Sequence, residues 1–457
     1  MPRVLVIGAG ISGLAAAWEL SRAGLAVTVV DAAGVGGKIR TSPFAGRPLD
    51  EGADAFLRRV PAALELCEEL GLTDRLVSPA ATNAKLWTGD RLVALPAGTV
   101  MGLPISFDGL GDVLSPAGIE RARQEPDLPG EPLTEDESVG QLVRRRYGDE
   151  VFERLVAPLL GGINAGDPDR LSVRAGLPQI ADAAARSVSL SRSLTPGAPG
   201  PVFSGLPDGM GALIDALTAA LEAAGVDVVT GSPVDAITWE AGPLRRWTVA
   251  GPDLPPSATS ADALVLATPA PVTARLVRAT HRAVADELDT IDHSSVVLVS
   301  LAFDRSQVPT PLDASGFLVP HGGGLRITAA SWSSSKWAHL DDGRTAILRV
   351  SLGHRNDPEA IDLDDARVER IIADDLDTTM GIDSVPDEVR ISRWRDGFPQ
   401  YDVGHLDRVA RIEEAVTEGA GVGPLALTGA AFDGVGIPAC IRHGRRVARQ
   451  IATRLAR

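Results

Sequence analysis

The sequence predicts an α/β protein of two or three domains, and three observations carry that expectation. The chain opens with "RVLVIGAG", a β-branched run ending in glycine, the pattern of a buried parallel strand. "ISGLAAAWELSRAG" follows as a helix stopped by Gly24, and "LAVTVVDA" reads as a second strand, completing a βαβ unit. Much further on, Val139, Leu142, Val143, Val151, Phe152, Leu155 and Val156 recur with helical rather than strand spacing.

Composition narrows the function classes. The 457 residues are 44 % hydrophobic and 23 % charged, ordinary for a soluble globular chain. A net charge of −16 argues against nucleic-acid binding through the phosphate backbone. It leaves at most weak peripheral contact with an anionic membrane. No apolar run reaches the ~20 residues that span a bilayer. The first strand begins almost at Met1, so no secretory signal and a cytoplasmic location are expected. The two cysteines, Cys67 and Cys440, have no metal-ligand spacing and make no disulfide framework, so no metal is expected. Cys67, in "AALELCEEL", reads as the core of an amphipathic helix.

The glycines of the opening unit fall on its strand-to-helix turn. Gly8 allows the tight turn, Gly10 lets a pyrophosphate approach the backbone, and Gly13 lets the helix pack close to the strand. Exposed N–H groups and the helix dipole then face the phosphate charge. Asp31 ends the second strand near the ~20-residue offset of a carboxylate that binds ribose hydroxyls, which disfavours NADP. The motif alone leaves NAD and FAD open.

In the middle of the chain, Thr134 with Glu137 reads as a capping box, and Pro158 with the glycines after it is expected to break the helix. "SRSLTPGAPGPVFSGLPDGM" reads as a Gly/Pro/Ser-rich linker.

The stretch after the second strand separates the two cofactors. "VGGKIRTSPFAGRPLDEGADAFL" offers another glycine pair, Gly36 and Gly37, with Lys38 and Arg40 beside it, and then the hairpin-like "FAGRPLDEG". This arrangement resembles the flavin-containing amine oxidase superfamily. "GSPVDAITWE" followed by "ADALVLATPA" resembles the part of these flavoproteins that returns to the nucleotide domain. "LALTGAAFDGVGIPACIRHGRRVARQI" resembles their final flavin motif, with a strand ending at Thr428-Gly429 and a helix opening at Gly434–Ile437. The resemblance implies non-covalent FAD. It also implies a discontinuous Rossmann-type FAD-binding domain at 1–84, 205–282 and 393–457, an α+β substrate-binding domain at 85–100 and 283–392, and an inserted helical domain at 101–204.

Four further stretches narrow it. "YGDEVFERLVAPLLGGINAGDP", "LPDGMGALIDAL", "ITAASWSSSKWAH" and "ISRWRDGFPQYDVGH" resemble the protoporphyrinogen/coproporphyrinogen oxidase family over nearly the whole chain. "TVMGLP", "ITAASWSSSKWAH" and "RWRDGFPQYDVGH" look most like its soluble bacterial branch, which oxidises coproporphyrinogen III to coproporphyrin III. The resemblance implies FAD contacts at Gly8, Ala9, Gly10, Ile11, Ser12, Gly13, Asp31, Ala32, Gly37 and Lys38. It extends them to Gly52, Ala53, Asp54, Ala55, Val234, Trp394, Gly429, Val435, Gly436 and Ile437.

It further implies a six-electron oxidation in three hydride transfers to flavin, with dioxygen as acceptor and hydrogen peroxide as product. Flavin carries the chemistry, and no His/Asp or paired-carboxylate constellation calls for a catalytic side chain; His339 and His405 are poor candidates. The substrate has an apolar face and a rim of carboxylates, so its pocket should be apolar with a few cations. Ile163, Gly166, Leu318 and Trp332 are the candidate walls; Arg58, Arg59 and Lys85 are the candidate cations. Val60 stands where some of the soluble branch carries a basic residue. Protoporphyrinogen IX oxidation is the alternative within the family. A flavin amine oxidase or a carotenoid-type desaturase on the same fold is the less favoured reading; amine oxidation is disfavoured because "SSVVLVSLAFD" holds no lysine and the chain has only two tyrosines, Tyr147 and Tyr401. A reactive porphyrin product would pass to a metal-inserting ferrochelatase, a transient partner expected from the pathway.

Overall fold

A computed structural model describes residues 1–456 except 198–199, 243–244, 321 and 419–421. Part of the expected linker, at 198–199, therefore lies outside the described residues. Two sheets organise the chain. The first is parallel and five-stranded, in the order Asp227–Val229, Ala26–Val30, Arg3–Ile7, Ala263–Leu266 and Leu425–Leu427. Its strands come from three distant stretches. They are short and apolar because both faces are covered, by the helices Ile11–Arg22, Gly211–Ala223 and Ile437–Leu455 on one side. Cys67 is fully buried in the same core, on the helix Ala62–Glu69.

The second sheet has seven strands, in the order Glu388–Pro399, His293–Asp304, Thr345–Leu352, Ile327–Trp332, Gly316–Leu318, Lys85–Trp87 and Leu92–Ala94. One face packs on the helix Asp365–Met380 through Val299, Leu348, Val350 and Trp332. The other meets the hairpin Thr41–Phe44/Arg47–Asp50, where Ala302 and Ile347 touch the cluster of Phe44 and Leu49. That hairpin turns on Ala45 and Gly46, both at positive φ (49° and 73°), the geometry that matches strand twist.

Helices Pro116–Arg123, Val139–Tyr147, Ala157–Asn164 and Pro178–Arg186 surround a separate apolar core. Two expectations are corrected here. The capping box forms one turn later, with the Ser138 hydroxyl accepting from the Gln141 N–H at 3.1 Å and the Gln141 amide oxygen accepting from the Ser138 N–H at 3.2 Å. Glu137 is unavailable because Arg145 holds its carboxylate with two hydrogen bonds. Pro158 does not break the helix either. A wide π-type turn at Phe152–Val156 precedes it and absorbs the bond that proline cannot make. The helix then runs through both glycines to Ala165, which stops it at φ 47°. Gly162 lies against the second sheet: a Cβ there would stand 3.1 Å from Leu318 Cδ2.

Candidate functional site

The opening turn is built by close approach of backbone to backbone. A Cβ at Gly13 would stand 1.9 Å from the Gly8 carbonyl oxygen, so the helix could not sit against the strand with any side chain there. Gly10 is the opposite case: a Cβ there would meet nothing within 4 Å, leaving an open space over the turn. Among the described residues, the N–H groups of Gly10 and Ser12 meet no acceptor. The Asp31 carboxylate accepts from the Ala9 N–H at 2.7 Å and the Ala33 N–H at 2.8 Å, which pins the turn to the strand end. A carboxylate offers about four acceptor positions, so two remain for hydroxyl donors. Ser232 donates to the Asp31 carbonyl at 3.0 Å and Gly231 to the Ala33 carbonyl at 3.0 Å, which brings the Val234 segment alongside.

The second glycine pair joins this turn, with Gly36 donating to the Ala9 carbonyl at 2.8 Å. Next to it, Gly52 is enclosed: a Cβ would lie 2.5 Å from the Lys38 carbonyl oxygen and 3.2 Å from the Trp394 ring. Trp394 is held by a 3.0 Å hydrogen bond from its Nε1 to the Glu51 carbonyl and by the Arg40 guanidinium 4.9 Å over its ring. Lys38 is buried and donates to the Gly397 carbonyl; burial lowers its pKa. Among the described residues, the N–H groups of Ala53, Asp54 and Ala55 meet no acceptor.

The C-terminal helix closes the arrangement. Ile437–Leu455 starts without a side-chain cap, and among the described residues the N–H groups of Val435, Gly436 and Ile437 are unpaired. Its first turns lie on the opening helix: Cys440 faces the Ser12 hydroxyl, and a Cβ at Gly444 would stand 2.3 Å from the Ser12 carbonyl oxygen. Gly429 lies just beyond the neighbouring strand, at φ 136°. Three groups of free backbone donors, two of them at helix N-termini, thus border one cradle. That donor set suits a diphosphate and an electron-accepting ring, so the residues fit a dinucleotide flavin.

Of the residues expected at the cofactor, Asp54 has its carboxylate engaged by other side chains. It meets Lys336 Nζ at 2.7 Å, Trp337 Nε1 at 3.1 Å and Arg349 Nη2 at 3.4 Å. Burial works to raise its pKa, but those charges and hydrogen bonds outweigh it and hold the group ionised, well below the usual carboxylate range. Close by, Asp50 accepts from Thr41 Oγ1 at 2.5 Å and from the Met210 N–H at 2.8 Å. Burial pushes Asp50 up to about 6, against those two hydrogen bonds.

The substrate-facing residues divide. Ile163, at the end of its helix, is 47 % exposed, and Leu318 packs on the neighbouring Gly162. A Cβ at Gly166 would meet Gln400 Oε1 at 2.5 Å, so these residues form one wall between insert and sheet. Lys85 and Trp332 do not belong to it. Side chains alternate along a strand, and Lys85 pairs in register with Phe317, Trp332 with Leu348, both on the core face. Trp332 is fully buried, and Lys85 reaches Asp313 at 2.6 Å with its ammonium 5.6 Å over the Trp332 ring. Arg58 donates to Ser204 Oγ at 2.7 Å and Arg59 to Gln179 Oε1 at 3.2 Å. Among the described residues neither arginine meets a carboxylate, so both charges remain available.

A separate cavity of about 430 Å³ opens between insert and sheet, away from the cradle. Its acids Glu153, Asp167, Asp169 and Asp357 outnumber its arginines Arg144 and Arg326, which disfavours a polycarboxylate there. His405 is buried and stacked on Tyr401 with centroids 4.1 Å apart; burial holds its pKa down to about 4, so it is neutral near pH 7. Tyr401 in turn donates to the Ala430 carbonyl. Sequence reasoning missed Arg349, Lys336 and Asp50. The one available signal was an arginine interrupting the apolar strand run "TAILRVSL".

Comparison with known proteins agrees with the cradle. Residues 11–452 match the model of the family described as flavin containing amine oxidoreductase. The chain is 32 % identical to coproporphyrinogen III oxidase of Bacillus subtilis (strain 168), over 97 % of this chain and 96 % of that one. It is 34 % identical to coproporphyrinogen III oxidase of Mycobacterium leprae (strain TN), over 99 % and 98 %. A crystal structure of a provisionally named protoporphyrinogen oxidase from Exiguobacterium sp. 255-15 superposes with a TM-score of 0.89 at 30 % identity, covering 99 % of both chains. No helix among the described residues is long and apolar enough to cross a membrane.

Proposed function

Because this chain belongs to the flavin containing amine oxidoreductase family, and is thus a flavin-dependent oxidoreductase, we propose that it uses non-covalent FAD to oxidise coproporphyrinogen III to coproporphyrin III. The observation that carries this reading is end-to-end likeness to oxidases of that name, at 32 % and 34 % identity. Bound FAD would accept hydride in three two-electron steps and pass the electrons to three dioxygen molecules, released as hydrogen peroxide.

The chain's own residues supply binding, orientation and field. The Gly10 and Ser12 N–H groups take the diphosphate, and the free positions of the Asp31 carboxylate take the adenosine ribose. The N–H groups of Val435 to Ile437, at a helix N-terminus, stabilise negative charge on the flavin ring. Ile163 and Leu318 present an apolar wall that excludes water, and Arg58 and Arg59 hold rim carboxylates. No side chain is assigned as acid or base. We place the protein in the cytoplasm, with a ferrochelatase as the transient acceptor of its product.

Oxidation of protoporphyrinogen IX is the second reading, favoured by the name of the Exiguobacterium neighbour. The two arginines, which meet no carboxylate among the described residues, favour the substrate with more carboxylates. Anaerobic mixing of the yellow protein with each porphyrinogen, followed by flavin bleaching, separates them. Faster bleaching and higher kcat/KM with coproporphyrinogen III are expected. The reverse preference selects the second reading, and no bleaching with either removes both.

A further inference from the structure

We propose that Arg349, assisted by Lys336, is a positioning residue for the flavin: reaching across from the seven-stranded sheet, it sets the Gly52–Ala55 turn so that its N–H groups face the cofactor. The inference rests on the flavin-binding reading above and adds a residue to it.

Arg349 lies in the strand Thr345–Leu352, on the face opposite Leu348 and Val350. Its neighbours in register on that face are Ser300 and Ser331, so its own sheet offers it no carboxylate there. Instead, Nη1 donates to the Gly52 carbonyl at 2.8 Å and Nη2 stands 3.4 Å from Asp54 Oδ1. The Gly52–Ala53 peptide is trans, so its N–H points opposite to its carbonyl. With the carbonyl held by Arg349, the Ala53 N–H is directed away from the guanidinium. Ala53 is exposed, and among the described residues that N–H has no acceptor. On the flanks of the turn, Lys38 and Trp394 leave no room for a side chain at Gly52.

Asp54 is the anchor of this contact. Its second oxygen meets Lys336 Nζ at 2.7 Å, and the cation, its partner and Arg349 are all largely buried. Nearby, Arg390 also carries donors, but it is held by Ser42 and Leu49, so it does not replace Arg349 at the Gly52 carbonyl. Removing Arg349 frees the Gly52 peptide to rotate and leaves Asp54 with one cation. Lysine at the same position keeps the charge but loses the fork that serves both acceptors.

The test uses full-length wild type, Arg349→Lys, Arg349→Met and Lys336→Met, each reconstituted with FAD. FAD dissociation is read by flavin fluorescence. The visible spectrum and the midpoint potential of bound flavin are read by reductive titration without any porphyrinogen. Arg349→Met is expected to weaken FAD by about tenfold or more and to shift both spectrum and potential. Arg349→Lys should recover part of each, with Lys336→Met between them. A folded Arg349→Met protein with FAD affinity, spectrum and potential equal to wild type overturns the inference. If Arg349→Met does not fold, the same equality in Arg349→Lys and Lys336→Met overturns it, and graded shifts in them support it. A wild type that binds no flavin brings down this inference together with the functional reading. A yellow wild type bleached by a porphyrinogen, with variants indistinguishable from it, brings down the inference alone.

Discussion

The turn at Gly8–Gly13 and the turn at Gly52–Ala55 both present unpaired N–H groups to the cradle, yet they are held in different ways. The first is fixed by its own neighbours: a strand, a helix and a carboxylate within the first 31 residues. The second is a bend held from outside, by Arg349 on a sheet and Lys336 on the short helix Ser333–Lys336, both almost 300 positions away in the chain. A local device needs only small residues at set spacings. A borrowed one needs buried charge, and its geometry depends on how distant parts of the chain pack.

The largest expected effect breaks the local turn. Gly13→Val places carbon where the Gly8 carbonyl stands, 1.9 Å away. It should abolish flavin retention and lower stability by about 3 kcal/mol, seen as colourless protein with a reduced melting temperature. If the variant is yellow and melts like wild type, the first turn is not held by close approach.

The next effect sharpens the second turn through pH. Asp50 sits beneath that turn with its pKa raised to about 6 by burial, against the hydrogen bonds from Thr41 and Met210. A carboxyl raised above its unfolded value binds a proton more tightly in the native state. Its stabilising contribution is complete below the unfolded pKa and is lost as pH rises through about 6. Asp50→Asn keeps the acceptor for both donors and removes the titration. The variant should be more stable than wild type at pH 7 by roughly 2 to 3 kcal/mol, with the difference vanishing near pH 4. Parallel melting curves across pH 4 to 7 would contradict this.

The smallest effect separates the core face of the seven-stranded sheet, which carries Lys85, from the turn after Phe56–Leu57, which carries Arg59. Lys85→Met, on the core face with Asp313 as its partner, should leave KM for the porphyrinogen unchanged and alter stability by less than about 1 kcal/mol. Arg59, which meets no carboxylate among the described residues, gives the contrast: Arg59→Met should raise KM several-fold, about 1 kcal/mol of lost carboxylate binding. Equal changes in the two variants would place Lys85 at the substrate after all.

Much of the cradle was legible because its causes are local. The βαβ unit, the hairpin after the second glycine pair and the helix opening at Ile437 each show in a few consecutive residues. The misreadings arose where two local signals competed. Thr134/Glu137 and Ser138/Gln141 have the same capping spacing, and the Arg145 grip on Glu137 decided between them. Pro158 predicts a break, but a π-type turn upstream absorbed it.

By itself, the sequence determined the parallel-strand pattern, the close-approach glycines and the acid at Asp31, since sterics and hydrogen bonding within about 30 residues dictate them. Only the tertiary structure decided that other side chains engage the Asp54 carboxylate, that Arg349 reaches it, and that Lys85 and Trp332 lie behind the sheet. Strand register and domain contact set which face a side chain takes, and a shift of one residue reverses that face without altering the local pattern that predicts the strand.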